Sequence, residues 1–259
     1  MYFTNLTQTH HMHLSRILLF LLLALPPTAR AQSAQEIVTK YLQAMGGKER
    51  LQSINSLYQE GIAVLENGAQ LSSKSWRIYD RVYRQEISMP AGKVTIVVTP
   101  SRGWSSGPGT GGLFKPLSDA QFKSLRPEID PGGALVDYAA KGNKIELAGK
   151  DTVDGEPCNR LRVFFPAGGS SVYSIDARTG YILRASHKGG NVLGTILPGS
   201  GASAPPDGEV TTEYSDYKVI AGGYVFPHAI TLSPYGAKVK ILKIEVNGYA
   251  DADVLSRPK

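Results

Sequence analysis

The chain has 259 residues, and its 28 lysines and arginines only slightly outnumber its 22 aspartates and glutamates, for a formal net charge of +6. No block of basic residues stands out, which argues against nucleic acid as a partner. The single cysteine, Cys158, excludes an intramolecular disulfide, and we interpret it as a small buried hydrophobe.

The first 31 residues have the pattern of a secretory signal peptide that is removed on export. Arg16 precedes an apolar run from Ile17 to Leu25, and the small-residue site Ala29–Ala31 follows. The run is shorter than the about 20 residues that span a bilayer. The cysteine of a lipobox does not follow it. We therefore expect residues 32–259 to form a periplasmic protein without a transmembrane segment or a lipid anchor.

Two short helices are predicted at the start of the mature chain. Residues 34–45 place apolar side chains at helical spacing, and Ser33 with Glu36 gives the signature of a capping box. Two glycines end this helix, and residues 48–54 are predicted to form a second one. An amphipathic helix needs an apolar surface to lie on, and the only candidate in this sequence is a sheet.

A meander of four strands is predicted next, because the hydrophobic period changes to two from Ser56 onward. Asn67-Gly68 is the strongest hairpin signal in the sequence. The predicted strands are Leu57–Glu66, Leu71–Tyr79, Val82–Met89 and Lys93–Thr99.

Residues 101–140 interrupt this pattern, and we predict helices and loops that lie over one face of the sheet like a lid. The Gly/Pro/Ser-rich residues 188–208 form a second interruption, and such a long loop is usually flexible or functional. Strands are predicted between the two interruptions at Lys144–Leu147, Cys158–Phe165, Ser171–Asp176 and Tyr181–Ser186.

The C-terminal stretch from Glu209 to Leu232 is predicted to be a hairpin around which the rest of the chain is arranged. Gly222-Gly223 offers the two positive-φ residues that a two-residue turn requires. Pro227 lacks a backbone N–H, so the second strand is expected at an edge of the sheet or broken by a bulge. A last strand is predicted between Ala237 and Tyr249.

These elements predict one domain, residues 32–259, that is mainly β with a few helices. A large sheet without a second sheet to cover it must curl, and short helices over its concave face would enclose an apolar space. We therefore predict a curled antiparallel sheet under a thin cover. The side chains predicted to line its cavity are Trp76, Ile78, Tyr83, Ile87, Ile96, Trp104, Phe114, Leu135, Tyr214 and Phe226.

Three short motifs and two histidines suggest chemistry, but each has a simpler interpretation. Ser105 stands in a G-x-S-x-G string, yet the glycines and proline after it exclude the helix that a nucleophile elbow needs. Residues 107–112 spell G-x-G-x-x-G without a βαβ unit, and the S-x-x-K string at Ser215 lacks its partner motifs. His187 and His228 are too few for a metal site. We expect no catalytic residue, no metal and no cofactor.

Six short sequence motifs that occur together in this chain are typical of a protein family. They are Ile37-Val-x-Lys-Tyr-Leu-x-Ala-Met-Gly-Gly-Lys-Glu, Ser56-Leu-Tyr-x-Glu-Gly, Leu135-Val-Asp-Tyr-Ala-Ala-Lys-Gly, Tyr173-x-Ile-Asp, Tyr181-Ile-Leu-Arg and Tyr214-Ser-Asp-Tyr-Lys followed by Gly223-Tyr-Val-Phe-Pro. Together they resemble the outer-membrane lipoprotein-sorting-like proteins of the LolA/LolB-like superfamily. The resemblance covers nearly the whole mature chain.

The resemblance implies a strongly curved antiparallel sheet, an unclosed half β-barrel, with helices as a lid over a hydrophobic cavity. It also implies a role in carrying acyl chains across the periplasm, and an arginine that latches the lid, for which Arg77 and Arg84 are the candidates. Our leading hypothesis is a non-catalytic carrier for an acyl chain, lipid or lipoprotein in the bacterial envelope. The alternatives are a protein-interaction or envelope-sensing module, with a protein partner at the sheet edge or at residues 191–208, and a hydrolase that uses Ser105 or a carboxylate.

Overall fold

The computed structural model describes residues 33–188, 208–234 and 236–248. The predicted signal peptide and nearly all of the predicted loop at 188–208 lie outside the described residues. Within these ranges, no helix is long and apolar enough to cross a membrane.

The described ranges contain three short α-helices and thirteen strands. The helices are α1 (Ala34–Ala44), α2 (Lys48–Gln52) and α3 (Asp119–Leu125). The strands are β1 (Ser56–Val64), β2 (Gln70–Ile78), β3 (Val82–Met89), β4 (Gly92–Val98), β5 (Gly103–Ser106), β6 (Lys115–Pro116), β7 (Lys144–Val153), β8 (Glu156–Phe164), β9 (Ser170–Asp176), β10 (Ile182–Lys188), β11 (Glu209–Val219), β12 (Val225–Ser233) and β13 (Ala237–Val246).

All thirteen strands belong to one antiparallel sheet, in the order β6-β5-β4-β3-β2-β1-β13-β12-β11-β10-β9-β8-β7. The sheet consists of two consecutive meanders, β1–β6 and β7–β13, and the pairing of β1 with β13 joins them. No pairing among the described residues connects β6 to β7, so the curved sheet stays open. The predicted unclosed antiparallel sheet is therefore confirmed.

The region 101–140 contains two strands that the period of the sequence did not reveal. In the pairing of β5 with β4, Ser105 lies opposite Ile96, and the two-residue β6 pairs with β5 in turn. β5 has only four residues, of which the first is Gly103, and this is too short to establish an alternation. After β6 the chain forms α3 and a 3-10 turn at Arg126–Ile129, and residues 132–140 form turns rather than a helix.

The connection between β11 and β12 is longer than the predicted two-residue turn. Val219 pairs with Val225, and a 3-10 turn at Ala221–Gly223 lies between them. Gly222 and Gly223 have φ angles of 82° and 76°, so both glycines do adopt the left-handed region.

Of the two alternatives predicted for Pro227, the edge is wrong, and the pairings of β12 show no register shift that would mark a bulge there. β12 lies between β11 and β13, and Pro227 itself is paired with Tyr217 of β11. On its other side, however, β12 pairs with β13 only from Ala229 to Leu232. Pro227 therefore falls in a part of β12 that has no ladder toward β13, where a missing N–H costs no hydrogen bond.

The helix α1 begins with the predicted capping box. Ser33 Oγ accepts a hydrogen bond from the Glu36 N–H at 3.2 Å, and the Ser33 N–H donates to Glu36 Oε2 at 2.9 Å. These bonds satisfy backbone groups that a helix start leaves unpaired. The buried stripe of α1 includes Ile37 and Tyr41, and it packs on the sheet as the amphipathic pattern predicted.

Two apolar clusters cover the face of the sheet that carries Leu161 and Ile96, which we call the inner face. In the first cluster α1 and α2 pack against Leu161 of β8 and Phe226 of β12. In the second, Ile129 of the 3-10 turn packs against Ile96 of β4 and Tyr83 of β3. Cys158 is buried as predicted, and burial raises the pKa of its thiol to about 11.

Candidate functional site

A cavity of about 430 Å³ lies between the inner face of the sheet and a segment that covers it. We call residues 119–140 the cover segment, which comprises α3, the 3-10 turn and the turns after it. Leu125, Glu128 and Leu135 of the cover segment line the cavity. The volume falls within the roughly 300–1,000 Å³ that small-molecule sites occupy.

One wall of the cavity is polar. It is formed by alternate residues of β1, β2 and β3, which share a face because strand side chains alternate. The register places Gln59 opposite Ser75, and Ser75 opposite Gln85, so the polar side chains form a continuous row across three strands. The polar wall consists of Gln59, Ser73, Ser75, Arg77 and Gln85.

The adjoining wall is apolar. It is formed by β11, β12 and β13, and Ile230 lies opposite Val239 in the register of the last two. Apolar ligand surface that is buried here would contribute about 25 cal/mol per Å² before the costs of binding. The apolar wall consists of Val210, Ile230, Leu232, Val239 and Ile241.

Five tyrosines line the cavity. Burial raises the pKa of Tyr41 to about 12, and it also raises the pKa values of Tyr83, Tyr173, Tyr214 and Tyr217. All five keep their hydroxyls protonated near pH 7. They therefore present apolar rings with polar tips to whatever enters.

Arg77 connects the sheet to the cover segment. Its Nη2 and Nε donate to Glu128 Oε2 at 2.6 and 3.2 Å, and its Nη1 donates to Gln59 Oε1 at 2.8 Å and to Ser75 Oγ at 3.2 Å. The guanidinium also lies 5.1 Å from the centre of the Tyr83 ring. Burial lowers the pKa of Arg77, but the Glu128 carboxylate, together with Tyr83 and Tyr214, raises it, and the net shift is upward.

An ion pair between Asp130 and Lys141 stabilises the turns at the end of the cover segment. Lys141, just after the segment, donates to Asp130 Oδ2 at 2.5 Å and to the Gly133 carbonyl at 3.3 Å, and Asp130 Oδ1 accepts from the Gly132 N–H at 3.1 Å. Burial raises the pKa of Asp130, although Lys141 opposes the shift. Ile129 is almost fully buried beside this pair and anchors the segment to the sheet.

The structure places half of the sequence-predicted cavity residues at the cavity. Among the described lining residues are Tyr83, Ile96, Leu135, Tyr214 and Phe226, together with the latch candidate Arg77.

The other predicted residues lie elsewhere in the described structure. Trp76 and Trp104 belong to the alternate set of their strands and point away from the inner face; the Trp76 ring lies 5.3 Å from that of Tyr58. Arg84 also points outward and pairs with Glu86 at 2.6 Å. Ile87 is buried in the packed cluster around Ile129. Ile78 and Phe114 are partly buried and do not line the cavity either.

Several lining residues escaped the sequence analysis because it searched for large apolar side chains. The polar wall carries small and polar residues, and its only signal is that Gln59, Ser73, Ser75 and Gln85 occupy the same alternate positions as buried apolar residues of their strands. Glu128 has no local signal, since its partner Arg77 is distant in sequence.

Two chemical motifs considered in the sequence can be compared with the described residues. No group of three or more His, Cys, Asp or Glu side chains among them could hold a metal ion. Ser105 lies on β5 and is followed by a 3-10 turn, so the strand-to-helix geometry of a nucleophile elbow is missing there.

No model of a protein family matches this chain, and no curated protein sequence matches it. Solved structures do match. A domain from Vibrio parahaemolyticus, described as an outer membrane lipoprotein-sorting protein, has 10% identity and a TM-score of 0.50, covering 85% of this chain and 94% of its own. A DUF1329 family protein from Desulfovibrio piger has 12% identity and a TM-score of 0.53, with coverage of 86% and 98%.

A LolA superfamily protein from Nitrosomonas europaea is similar to the same degree. Its identity is 13% and its TM-score 0.51, and the match covers 88% of this chain and 99% of that protein. At such identities the similarity shows the fold alone. The chain has a LolA-like fold, as the resemblance implied.

Proposed function

We propose that this chain is a non-catalytic carrier in the bacterial cell envelope that binds an acyl chain of a lipid or lipoprotein. The observation that carries the proposal is the cavity between the inner face of the sheet and the cover segment, with an apolar wall along one side. A similar fold in a protein described as lipoprotein-sorting supports it.

In this proposal the cover segment acts as the lid. Ile129 and the Arg77–Glu128 pair are two of its contacts with the sheet beside the cavity, and both must separate when the segment lifts. Exposure of the Ile129 side chain costs roughly 1.5–3 kcal/mol. A ligand that fills the cavity with apolar surface offsets this cost, so binding and lid movement are coupled.

The proposal is tested by uptake of a fluorescent long-chain fatty acid, with protein that has been exported and purified without detergent. Ser73→Phe places an aromatic ring in the cavity, and it should reduce uptake at least about tenfold because the volume for the chain is lost. Ser72→Phe is the matched control, because Ser72 is exposed on the other face of the same strand and its substitution should leave uptake unchanged.

Native mass spectrometry of the same preparation supplies a second readout. A co-purified lipid mass that disappears on organic extraction would support the proposal and give the ligand class. The proposal is wrong if the wild-type protein carries no lipid and takes up no added fatty acid, or if both phenylalanine variants take up probe like the wild type.

A further inference from the structure

The two walls of the cavity differ in polarity, and this difference indicates which kind of acyl ligand the cavity fits. The row Gln59, Ser75 and Gln85 crosses β1, β2 and β3, whereas the side chains that β12 and β13 present to the cavity are apolar. The row is already hydrogen-bonded within the protein, since Gln59 and Ser75 accept from Arg77 and Gln85 accepts from Tyr83. A purely apolar ligand would form no hydrogen bond with these groups, whereas a polar head group can. The arrangement therefore fits an amphiphile, with its chain on one wall and its head on the other.

Arg77 is the one cation on the polar wall, and the sheet itself holds it in place. Gln59 and Ser75 accept both Nη1 hydrogen bonds from the sheet side, and the ring of Tyr83 lies against the guanidinium. The side chain is 17% exposed, and an arginine remains charged at all physiological pH values. A charge in such a place needs an anionic partner.

That anionic partner comes from the cover segment and not from the sheet. Glu128 is the only carboxylate that forms an ion pair with Arg77 among the described residues. The Glu128 side chain is 42% exposed, so it reaches the outside of the cavity. It meets both Nε and Nη2 of Arg77 with a single oxygen, Oε2. A carboxylate or phosphate with two free oxygens would match this fork bidentately.

We propose that Arg77 receives the anionic head of a single-chain amphiphile, a carboxylate or a phosphate, which takes the place of Glu128. This assignment rests on the proposed function, because it names the ligand class of the same cavity. The head lies among Arg77, Gln59 and Gln85, and the chain extends along the apolar wall at Ile230 and Val239. Binding releases Glu128 and removes one tie of the cover segment.

The experiment compares three ligands that share one chain and differ in the head: dodecanoate, dodecyl phosphate and dodecan-1-ol. Each displaces a fluorescent acyl probe from the exported protein. Both anions should bind about tenfold or more tightly than the alcohol, because a charged hydrogen bond contributes about 1.5–3 kcal/mol. The tighter of the two anions identifies the head as carboxylate or phosphate.

Two variants test whether the charges of Arg77 and Glu128, and not the shape of the cavity, determine the affinity for anions. Arg77→Met should bring the affinities for both anions to the level of the alcohol. Glu128→Gln removes the competing anion and should raise affinity for both anions, about tenfold, while leaving the alcohol unchanged. Because the Glu128 side chain is 42% exposed and glutamine has the same size, this variant tests the proposal even if Arg77→Met fails to fold. Arg84→Met is the control, because Arg84 holds an equivalent ion pair on the outer face.

Each possible result has a defined meaning. Equal binding of all three ligands, or an unchanged anion affinity in Glu128→Gln, would overturn the head-group assignment and leave the acyl carrier intact. Failure of all three to displace the probe, with no other acyl ligand bound, would overturn the carrier proposal itself.

Discussion

Arg77 and Arg84 lie on β2 and β3, and each holds a glutamate at 2.6 Å, but they do so on opposite faces of the sheet. The partner of Arg84 is Glu86, two residues away on the same strand. The partner of Arg77 comes from the cover segment, far along the chain. Only the Arg77–Glu128 pair links two parts of the molecule, so of the two ion pairs only this one depends on the position of the cover segment.

Ile129 and Glu128 are an apolar and a polar contact of the cover segment with the sheet, and they should contribute unequally to stability. Ile129→Ala leaves a cavity in a packed cluster and should lower the free energy of unfolding by about 2–5 kcal/mol. Glu128→Gln should cost only about 1 kcal/mol, because a glutamine amide oxygen still accepts a hydrogen bond from Arg77. Urea denaturation measures both values.

The exposed Val219 supplies the control for this comparison. Its side chain is 72% exposed, so Val219→Ala should stay within about 0.5 kcal/mol of the wild type. If Ile129→Ala proved as mild as Val219→Ala, Ile129 would not anchor the segment.

His187 should make the folded protein less stable in mild acid. Burial lowers its pKa, against a small opposite effect of Glu128 and Glu209. Below the ordinary histidine pKa of about 6.5 the unfolded chain therefore binds a proton that the folded chain does not, and stability falls as the pH falls. His187→Asn removes this proton uptake.

The measurement is a set of urea titrations at about pH 7, 6 and 5 on the wild type and on His187→Asn. The free energy of unfolding of the variant should decrease less over this range than that of the wild type. Any constant offset reflects altered packing and does not bear on the prediction. Parallel pH curves for the two proteins would contradict it.

The pairing of β1 with β13 leaves no room for a side chain at Gly61. A Cβ there would lie 2.6 Å from the Lys240 carbonyl oxygen and 3.3 Å from Ile241 Cα. Because the clash is with backbone, Gly61→Ala should destabilise the fold by about 1–3 kcal/mol, as measured by thermal unfolding. Ser73→Ala, opposite Gly61 on β2, is the control and should be nearly neutral. Equal stability of the two variants would show that β1 and β13 accommodate a side chain at position 61 without loss of stability.

Local signals predicted much of the fold. The capping box at Ser33 and the Asn67-Gly68 turn act within a few residues, so the sequence alone specifies them. The short β5 was missed because its alternation is too brief to detect against surrounding glycines. The place of Pro227 was misjudged because the partial ladder between β12 and β13 depends on a strand that follows later in the chain.

The candidate site was harder to predict than the fold. A period of two separates the residues of a strand into two sets, but it does not say which set faces the cavity. Hydrophobicity favoured Trp76, whereas its neighbour Arg77 is the residue that lines the cavity. The preference was misleading because this wall is polar. The contact between Arg77 and Glu128 depends on how residues distant in sequence are folded together, and no short pattern encodes it.

The pairing of β1 with β13 also affects the order in which the sheet forms during folding. Each meander consists of neighbours in sequence and pairs locally, but the strands at the middle of the sheet come from the two ends of the domain. Their contact closes the longest loop in the domain, and contacts of this kind slow folding. During synthesis, which starts at the amino end, β1 therefore has no partner on its β13 side until β13 has been made. The polar and apolar walls of the cavity come together only when β1 and β13 pair.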